Sequence, residues 1–421
     1  MTGKDFIFFS ANDFAKDGGG TIRMLGIMNE LAEKGHPVTF ISNTTRFELF
    51  HPSIKHVQIN FRINPKAKRT MQSIIGFASP FLLNWFFRPL FQRLKYLFIP
   101  YKNSTVYFFE YLDNSIGYWL NRNGLIGGYI NDLHGVAVLE FDYQYRTADS
   151  GKKKIALYFK YLGAKFLDYK VFKKAQGLIY ASKAMQNYYW QSIPCTRAKK
   201  SYILPYVLDK KQLNTDVDFD LQQSLKQRFK ISETDKVIFF AGVFKKTGGV
   251  PDLIRAISML NDKRLKLLLV GDGPTYKECE EIIQAQGMDN IYLAGRVPYK
   301  DLRTYQSIAN IIVCPDRDNV YSQLIIHVKY LDALIAEKIV VNGAFESVKE
   351  INQDEKLSLM FIPSDVESLA KAIQRGLENE SLLLKKYQGN IEYIRQHLTY
   401  STAINVLLEE AELSLPNRSL R

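Results

Sequence analysis

Cysteine is scarce: Cys195, Cys279 and Cys314 are odd in number, far apart, and outside any CxxC or Cys/His spacing. That excludes a disulfide framework and a structural zinc site, and a reducing cytoplasm is the expected setting. Glycine (25) and proline (14) are too sparse in 421 residues for a collagen-like or low-complexity chain. Long apolar runs are missing too. The longest uncharged window, residues 71–87, is interrupted by Gln72, Ser73, Pro80 and Asn84, and it falls short of the roughly 20 apolar residues of a membrane-spanning helix. The start, Met1 to Asp5, lacks the basic and apolar pattern of a secretion signal. A further absence is local: residues 51–100 hold eight Lys or Arg and no acid, and residues 151–200 hold twelve with one acid, Asp168.

What is present in excess is positive charge, +13 overall. It is confined to one half. Residues 1–210 carry 29 basic and 14 acidic side chains, and residues 211–421 carry 27 and 29. A basic half of this kind suits nucleic acid, a membrane surface or anionic substrates. No helix-turn-helix, RRM, zinc-finger or OB pattern accompanies it, so nucleic acid is not an expected partner.

The length implies two or three domains. Residues 6–10 form a short apolar run suited to a buried parallel strand, followed by Gly18-Gly19-Gly20. Ile22, Leu25, Met28, Leu31 and Ala32 then recur at helical spacing until Gly35, and a second strand begins at Val38. This is a βαβ unit with its glycine loop at the carboxyl end of the first strand. Strand-like runs follow at residues 57–59, 106–109, 128–130 and 177–182, with Ser182 as a helix N-cap. After Leu204-Pro205 a polar stretch, residues 209–235, precedes a second series. Strands are expected at 237–241, 265–270, 291–294, 311–314 and 338–341, with helices near 251–260, 275–286, 299–308 and 324–335. The expected domains are residues 1–207, residues 208–390, and a helical segment, 391–421, returning to the first domain.

Several loops carry chemistry. Gly18-Gly19-Gly20 before a helix allows close backbone approach to a phosphate, and equally serves as a plain strand-end connection. Gly242 to Gly249 and Gly295-Arg296-Val297 each put glycine just past a strand, while Gly271-Asp272-Gly273-Pro274 is a tight turn. Lys245 and Lys246 are placed to neutralise a diphosphate, or are solvated loop charges.

Taken in order, Gly18-Gly19-Gly20-x-x-Arg23, Asp132-Leu133-His134-Gly135, residues 175–182, Leu204-Pro205, Gly242 with Gly248-Gly249-Val250, residues 270–274, Gly295-x-Val297 and Lys329-Tyr330-Leu331-Asp332 resemble the family 4 glycosyltransferases. The resemblance implies an α/β GT-B fold, two doubly wound Rossmann-like domains facing across a cleft. It also implies a retaining, metal-independent transfer from a nucleotide-diphosphate sugar, UDP- or GDP-linked, with no further cofactor. The donor would be held mainly by the second domain and a saccharide or lipid-linked acceptor mainly by the first. On this resemblance Lys246, Lys329 and His134 are the catalytic candidates. Gly19, Gly20, Gly242, Lys245, Gly295, Arg296, Val297, Ile325 and Asp332 are the donor-binding candidates, with Asp332 accepting from the ribose hydroxyls and the 295–297 loop forming the base pocket.

The chain departs from that family at recognisable places. Leu324 stands eight residues before Asp332, where the family usually has a glutamate, and Gly242-Val243 replaces the usual Gly-Arg. A second reading follows from these changes: a catalytically silent GT-B relative acting as a partner subunit. The two basic segments interleave cations with aromatic residues, Phe77, Trp85, Phe86 and Phe91 in the first and Tyr158, Phe159 and Phe166 in the second. This pattern suits the headgroup level of an anionic membrane as well as a packed helix pair. Bacterial surface polysaccharide synthesis at the inner face of the membrane is the corresponding role.

Overall fold

The computed structural model describes residues 5–11, 19–61, 88–214, 216–320 and 322–413. The chain divides into two compact units, Met1–Pro205 with Ala403–Arg421, and Tyr206–Thr402. The division falls between Pro205 and Tyr206. The expected tail is divided, helix Asn390–His397 belonging to the second unit and helix Asn405–Leu413 to the first.

Among the described residues the first unit has a seven-stranded parallel sheet: β1 (Phe6–Ser10), β2 (Val38–Ser42), β3 (Lys55–Gln58), β4 (Thr105–Phe108), β5 (Gly128–Leu133), β6 (Gly177–Tyr180) and β7 (Lys200–Ile203), in the order β3-β2-β1-β4-β5-β6-β7. Central strands covered on both faces are continuously apolar. Phe6, Phe8, Phe9 and Phe108 are accordingly buried, and the ring of Phe8 lies 5.1 Å from that of Tyr107 on the neighbouring strand. Helix Gly19–Glu33 joins β1 to β2 and buries Met24, Ile27, Met28, Leu31 and Ala32; of the face read from its spacing, Met28, Leu31 and Ala32 are buried while Ile22 and Leu25 are half-buried.

The second unit repeats the plan with six parallel strands: β8 (Lys236–Ala241), β9 (Leu265–Val270), β10 (Ile291–Gly295), β11 (Ile311–Cys314), β12 (Ile339–Gly343) and β13 (Leu359–Phe361), ordered β10-β9-β8-β11-β12-β13. Its core joins Ile238, Phe240, Leu267, Leu269, Ile311 and Val341 to Leu253, Ile254 and Ile257 of helix Val250–Leu260 and to Leu369 and Ile373 of helix Val366–Glu378. In both sheets the strand order reverses beside the first strand, between β1 and β4 and between β8 and β11. That switch point is where doubly wound sheets open a crevice at their carboxyl ends.

The expected helix at 324–335 is shorter. Helix Val328–Leu334 starts four residues later with His327 as N-cap, and Leu324 lies buried in the preceding turn. The polar stretch 209–235 contains helix Phe219–Arg228, capped by Asp218 and burying only Leu225.

Of the first basic segment, residues 62–87, including Phe77, Trp85 and Phe86, lie outside the described residues; helix Arg88–Leu97 buries Leu90, Phe91 and Leu94 and leaves Tyr96 exposed. The second segment is helix Gly151–Lys174. Its buried face is Ala164, Leu167, Asp168, Val171 and Phe172, while Ile155, Phe159, Phe166 and Tyr169 are exposed among its lysines. One face of this helix packs, and the other presents apolar rings to solvent. Among the described residues no helix is long and apolar enough to cross a membrane.

Candidate active site

In the second unit a cavity of about 440 Å³ opens at the carboxyl ends of β8 to β11. Gly242 and Val243 follow β8, Gly271 and Asp272 follow β9, Arg296 and Val297 follow β10, Cys314 ends β11, and Lys329 and Asp332 come from helix Val328–Leu334. Parallel strands deliver all these loops to one edge. Of the candidates from the sequence, Gly242, Arg296, Val297, Lys329 and Asp332 are thus brought together. Lys245 and Lys246 are exposed and do not line the cavity. They sit at the start of the turn Lys246–Gly248, where the Lys246 carbonyl accepts from Arg317 at 3.2 Å. Ile325 is half-buried in the turn before the helix and is likewise not part of the lining.

The wall is built from close backbone contacts. Gly271 donates its N–H to the Gly295 carbonyl at 2.8 Å, Gly242 donates to Val270 at 3.0 Å, and Phe244 donates to Asp272 at 3.0 Å. Gly249 has φ +66, and a Cβ there would meet the Pro315 carbonyl oxygen at 1.8 Å; at Gly271, φ +135, an added Cβ would meet the Gly242 carbonyl oxygen at the same distance. Glycine is required at both by conformation and by space. Gly295, φ +70, is favoured by conformation alone, since a Cβ there would meet nothing within 4 Å.

Four charged side chains line this cavity, Asp272, Arg296, Lys329 and Asp332, and Arg296 lies 3.4 Å from Asp272. Lys329 pairs with Asp316 at 2.7 Å, and its Nζ lies 5.3 Å from the centre of the Phe240 ring. The Asp332 carboxylate is buried, accepts from the Tyr299 hydroxyl at 2.8 Å and from Gln212 at 3.5 Å. Burial pushes its pKa up to about 6, although the Tyr299 bond works in the other direction. Burial also holds His327, the helix N-cap, below the ordinary imidazole value. Cys314 is no nucleophile, since burial raises its thiol to about 12. Tyr299, Gln306 and Asp316 are not singled out by sequence. Their only sequence signal is position within a strand-end loop or the helix that follows.

The first unit has its own constellation. Gly20 stands in the first turn of helix Gly19–Glu33, and a Cβ on it would come within 2.8 Å of His134 Nε2. Gly19 lies beside it at the helix start, and Gly18 is outside the described residues. Arg23, fully buried, forks onto both Asp132 oxygens at 2.8 and 2.9 Å and donates to the Pro205 carbonyl at 2.9 Å. Bidentate geometry of this kind is what makes a buried pair tolerable. His134 follows β5, and burial lowers its pKa against the opposing effect of Asp132. No group of three or more His, Cys, Asp or Glu is placed to hold a metal ion among the described residues.

Residues 222–397, within the second unit, match the family described as Glycosyl transferases group 1. An O-antigen chain mannosyltransferase C of Escherichia coli is 24% identical over 184 residues, 43% of this chain and 46% of that protein. The chain spans less than half the length of the curated relatives it matches. Among solved structures, sucrose-phosphate synthase from Thermosynechococcus elongatus gives a TM-score of 0.71 at 17% identity, covering 97% of this chain and 99% of that one. Anabaena HepE in complex with UDP gives 0.70 at 15% identity, covering 98% and 100%. With two parallel Rossmann-like sheets matched over nearly their whole length, the chain has the GT-B fold, and its second unit matches the group 1 glycosyltransferases over residues 222–397.

Proposed function

We propose that the protein is a retaining glycosyltransferase that moves a sugar from a UDP- or GDP-linked donor to a saccharide or lipid-linked acceptor in bacterial surface polysaccharide synthesis. The observation that carries this reading is the glycine-walled cavity at the switch point of the second sheet, lined by the cations Lys329 and Arg296 and by the buried carboxylate of Asp332. The similarity to an O-antigen mannosyltransferase supports the polysaccharide role, and the structural likeness to a UDP-bound protein supports a nucleotide donor. In this reading Asp332 accepts from the ribose hydroxyls, Val243 and Val297 give the base an apolar wall, and Lys329 exchanges Asp316 for the diphosphate.

Transfer breaks the bond between the anomeric carbon and the diphosphate oxygen and forms one to an acceptor oxygen on the same face. The acceptor proton passes to an oxygen of the departing diphosphate, so the charge on the diphosphate is what the protein must stabilise. No protein nucleophile and no metal ion take part. Lys329 supplies a cation for that charge and Arg296 lines the same cavity, with Lys245 and Lys246 outside the cavity wall. Lys329→Ala is expected to lower kcat/KM on the order of a hundredfold or more, and Lys246→Ala on the order of tenfold or less. A thermal-shift screen against UDP, GDP and their sugars, followed by a transfer assay, tests the whole reading. A melting temperature that responds to none of these nucleotides would sink it.

The exposed rings and lysines of helix Gly151–Lys174 support peripheral attachment to an anionic membrane. Flotation with anionic liposomes at low salt is expected, and an unbound protein under those conditions would remove the membrane from the proposal.

A further inference from the structure

The most basic region of the chain encloses an acidic hole. A cavity of about 210 Å³ in the first unit is lined by Glu110, Tyr111, Asp132, His134, Glu140 and Asp168, of which Asp132 is paired with Arg23, and no lysine or arginine lines it. Asp168 is the decisive member. It is the single acid of residues 151–200, it sits on the buried face of helix Gly151–Lys174, and only 5% of it is exposed. Among the described residues it forms no hydrogen bond and no ion pair. Its carboxyl lies at the cavity, and burial without a partner raises it to about 8. Beside it the buried Tyr111 hydroxyl also lacks a hydrogen-bond partner among the described residues.

A buried carboxylate with nothing to neutralise it costs stability, and a cation in the same cavity removes that cost. The described side chains do not converge as metal ligands. Aromatic faces favour an organic cation instead. Phe141 stands edge-on to Tyr111 at 5.6 Å, and from outside the lining Lys160 already places its Nζ 3.9 Å from the Phe141 ring centre.

We propose that this cavity takes a protonated primary amine carried by the acceptor, with Asp168 as its counter-ion and Tyr111 as a hydrogen-bond partner. The assignment rests on the reading of the first unit as the acceptor side. An amine of this kind is found on an amino sugar and on a phosphoethanolamine headgroup.

The test measures the melting temperature of the full chain and of Asp168→Asn and Tyr111→Phe with increasing glucosamine, N-acetylglucosamine or phosphoethanolamine. Glucosamine or phosphoethanolamine is expected to raise the wild-type melting temperature, with N-acetylglucosamine about tenfold weaker or inactive because it has lost the charge. The stronger of the two amines identifies the source, saccharide or lipid headgroup. Asp168→Asn is expected to lose the preference for the amine, and Tyr111→Phe to weaken it. Equal response to glucosamine and N-acetylglucosamine, no response to either amine, or an unchanged preference in Asp168→Asn overturns the proposal. A nucleotide shift measured on the same samples reports folding of the variants. It also separates the two readings: a retained nucleotide response with no amine response rejects the amine alone.

Discussion

Asp332 and Asp168 are both buried carboxyls with raised pKa values, and their different surroundings give different consequences. Asp332 keeps a Tyr299 hydrogen bond and reaches about 6, so it is ionised at neutral pH and protonates just below it. A protonated carboxyl is a poorer acceptor for ribose hydroxyls. The dissociation constant of a nucleotide sugar, whose diphosphate has no proton to gain in that range, should therefore rise about tenfold between pH 7.5 and pH 5. Calorimetry across that range checks this, and Asp332→Asn should flatten the dependence. Asp168, at about 8, acts on stability. Below the ordinary carboxyl value near 4 both folded and unfolded chains hold the proton, and no penalty exists. As pH rises from about 4 to about 8 the unfolded chain releases it and the folded chain does not, so stability falls across that window. Asp168→Asn should then be more stable than the wild type at pH 7 to 8, by on the order of a few kcal/mol, with the gain shrinking toward pH 4. Denaturant titrations at several pH values measure it. The order of motifs shared with a known family makes Asp332 and Lys329 readable in the sequence, and both lie on helix Val328–Leu334. The pairing of Lys329 with Asp316 and the isolation of Asp168 are not readable there, because both depend on which elements the sheet brings side by side.

At the scale of elements, the legible parts are those whose local signal agrees with the fold. The apolar runs of β1, β8 and β9 have no plausible place except a doubly covered sheet, and the glycines after β8 and β9 mark turns. The edge strand β7, Lys-Ser-Tyr-Ile, and the three-residue β13 carry too little apolar sequence to announce themselves. Helix Phe219–Arg228 is hidden for the same reason, since it buries only Leu225 and leaves Phe219 exposed. The late start of helix Val328–Leu334 is invisible too, because Leu324 and Ile326 are buried from the turn that precedes it and so imitate helical spacing. The glycine-walled loops yield a prediction of their own. Gly249→Ala asks for a left-handed alanine and places its Cβ against the Pro315 carbonyl. It should destabilise the second unit by about 2 to 4 kcal/mol and weaken nucleotide binding, as read by thermal unfolding with and without UDP.

Over the whole molecule, each unit has its own sheet and its own core. Heating should resolve two transitions, and a nucleotide that binds the cavity of the second unit should raise one of them directly. Differential scanning calorimetry with and without UDP or GDP checks this, and a single transition moving as a whole would contradict it. The charge follows the same division. The +13 of the chain is concentrated in the half that is proposed to meet acceptor and membrane, while the half proposed to hold the donor brings Lys329 and Arg296 to its cavity. Within the basic half the acid is placed inward, at Asp168, and the lysines outward along the same helix. One helix thereby turns a buried carboxyl to the interior and its lysines to solvent.

The close contacts at the glycines also set how these positions can diverge among descendants of the same ancestor. At Gly249 and Gly271 the obstacle is a carbonyl oxygen of the main chain, which no substitution elsewhere can trim away. At Gly20 the obstacle is the imidazole of His134, which a substitution can remove. The first two should therefore stay glycine throughout, whereas positions 20 and 134 should change as a pair, a side chain appearing at one where the other has become small.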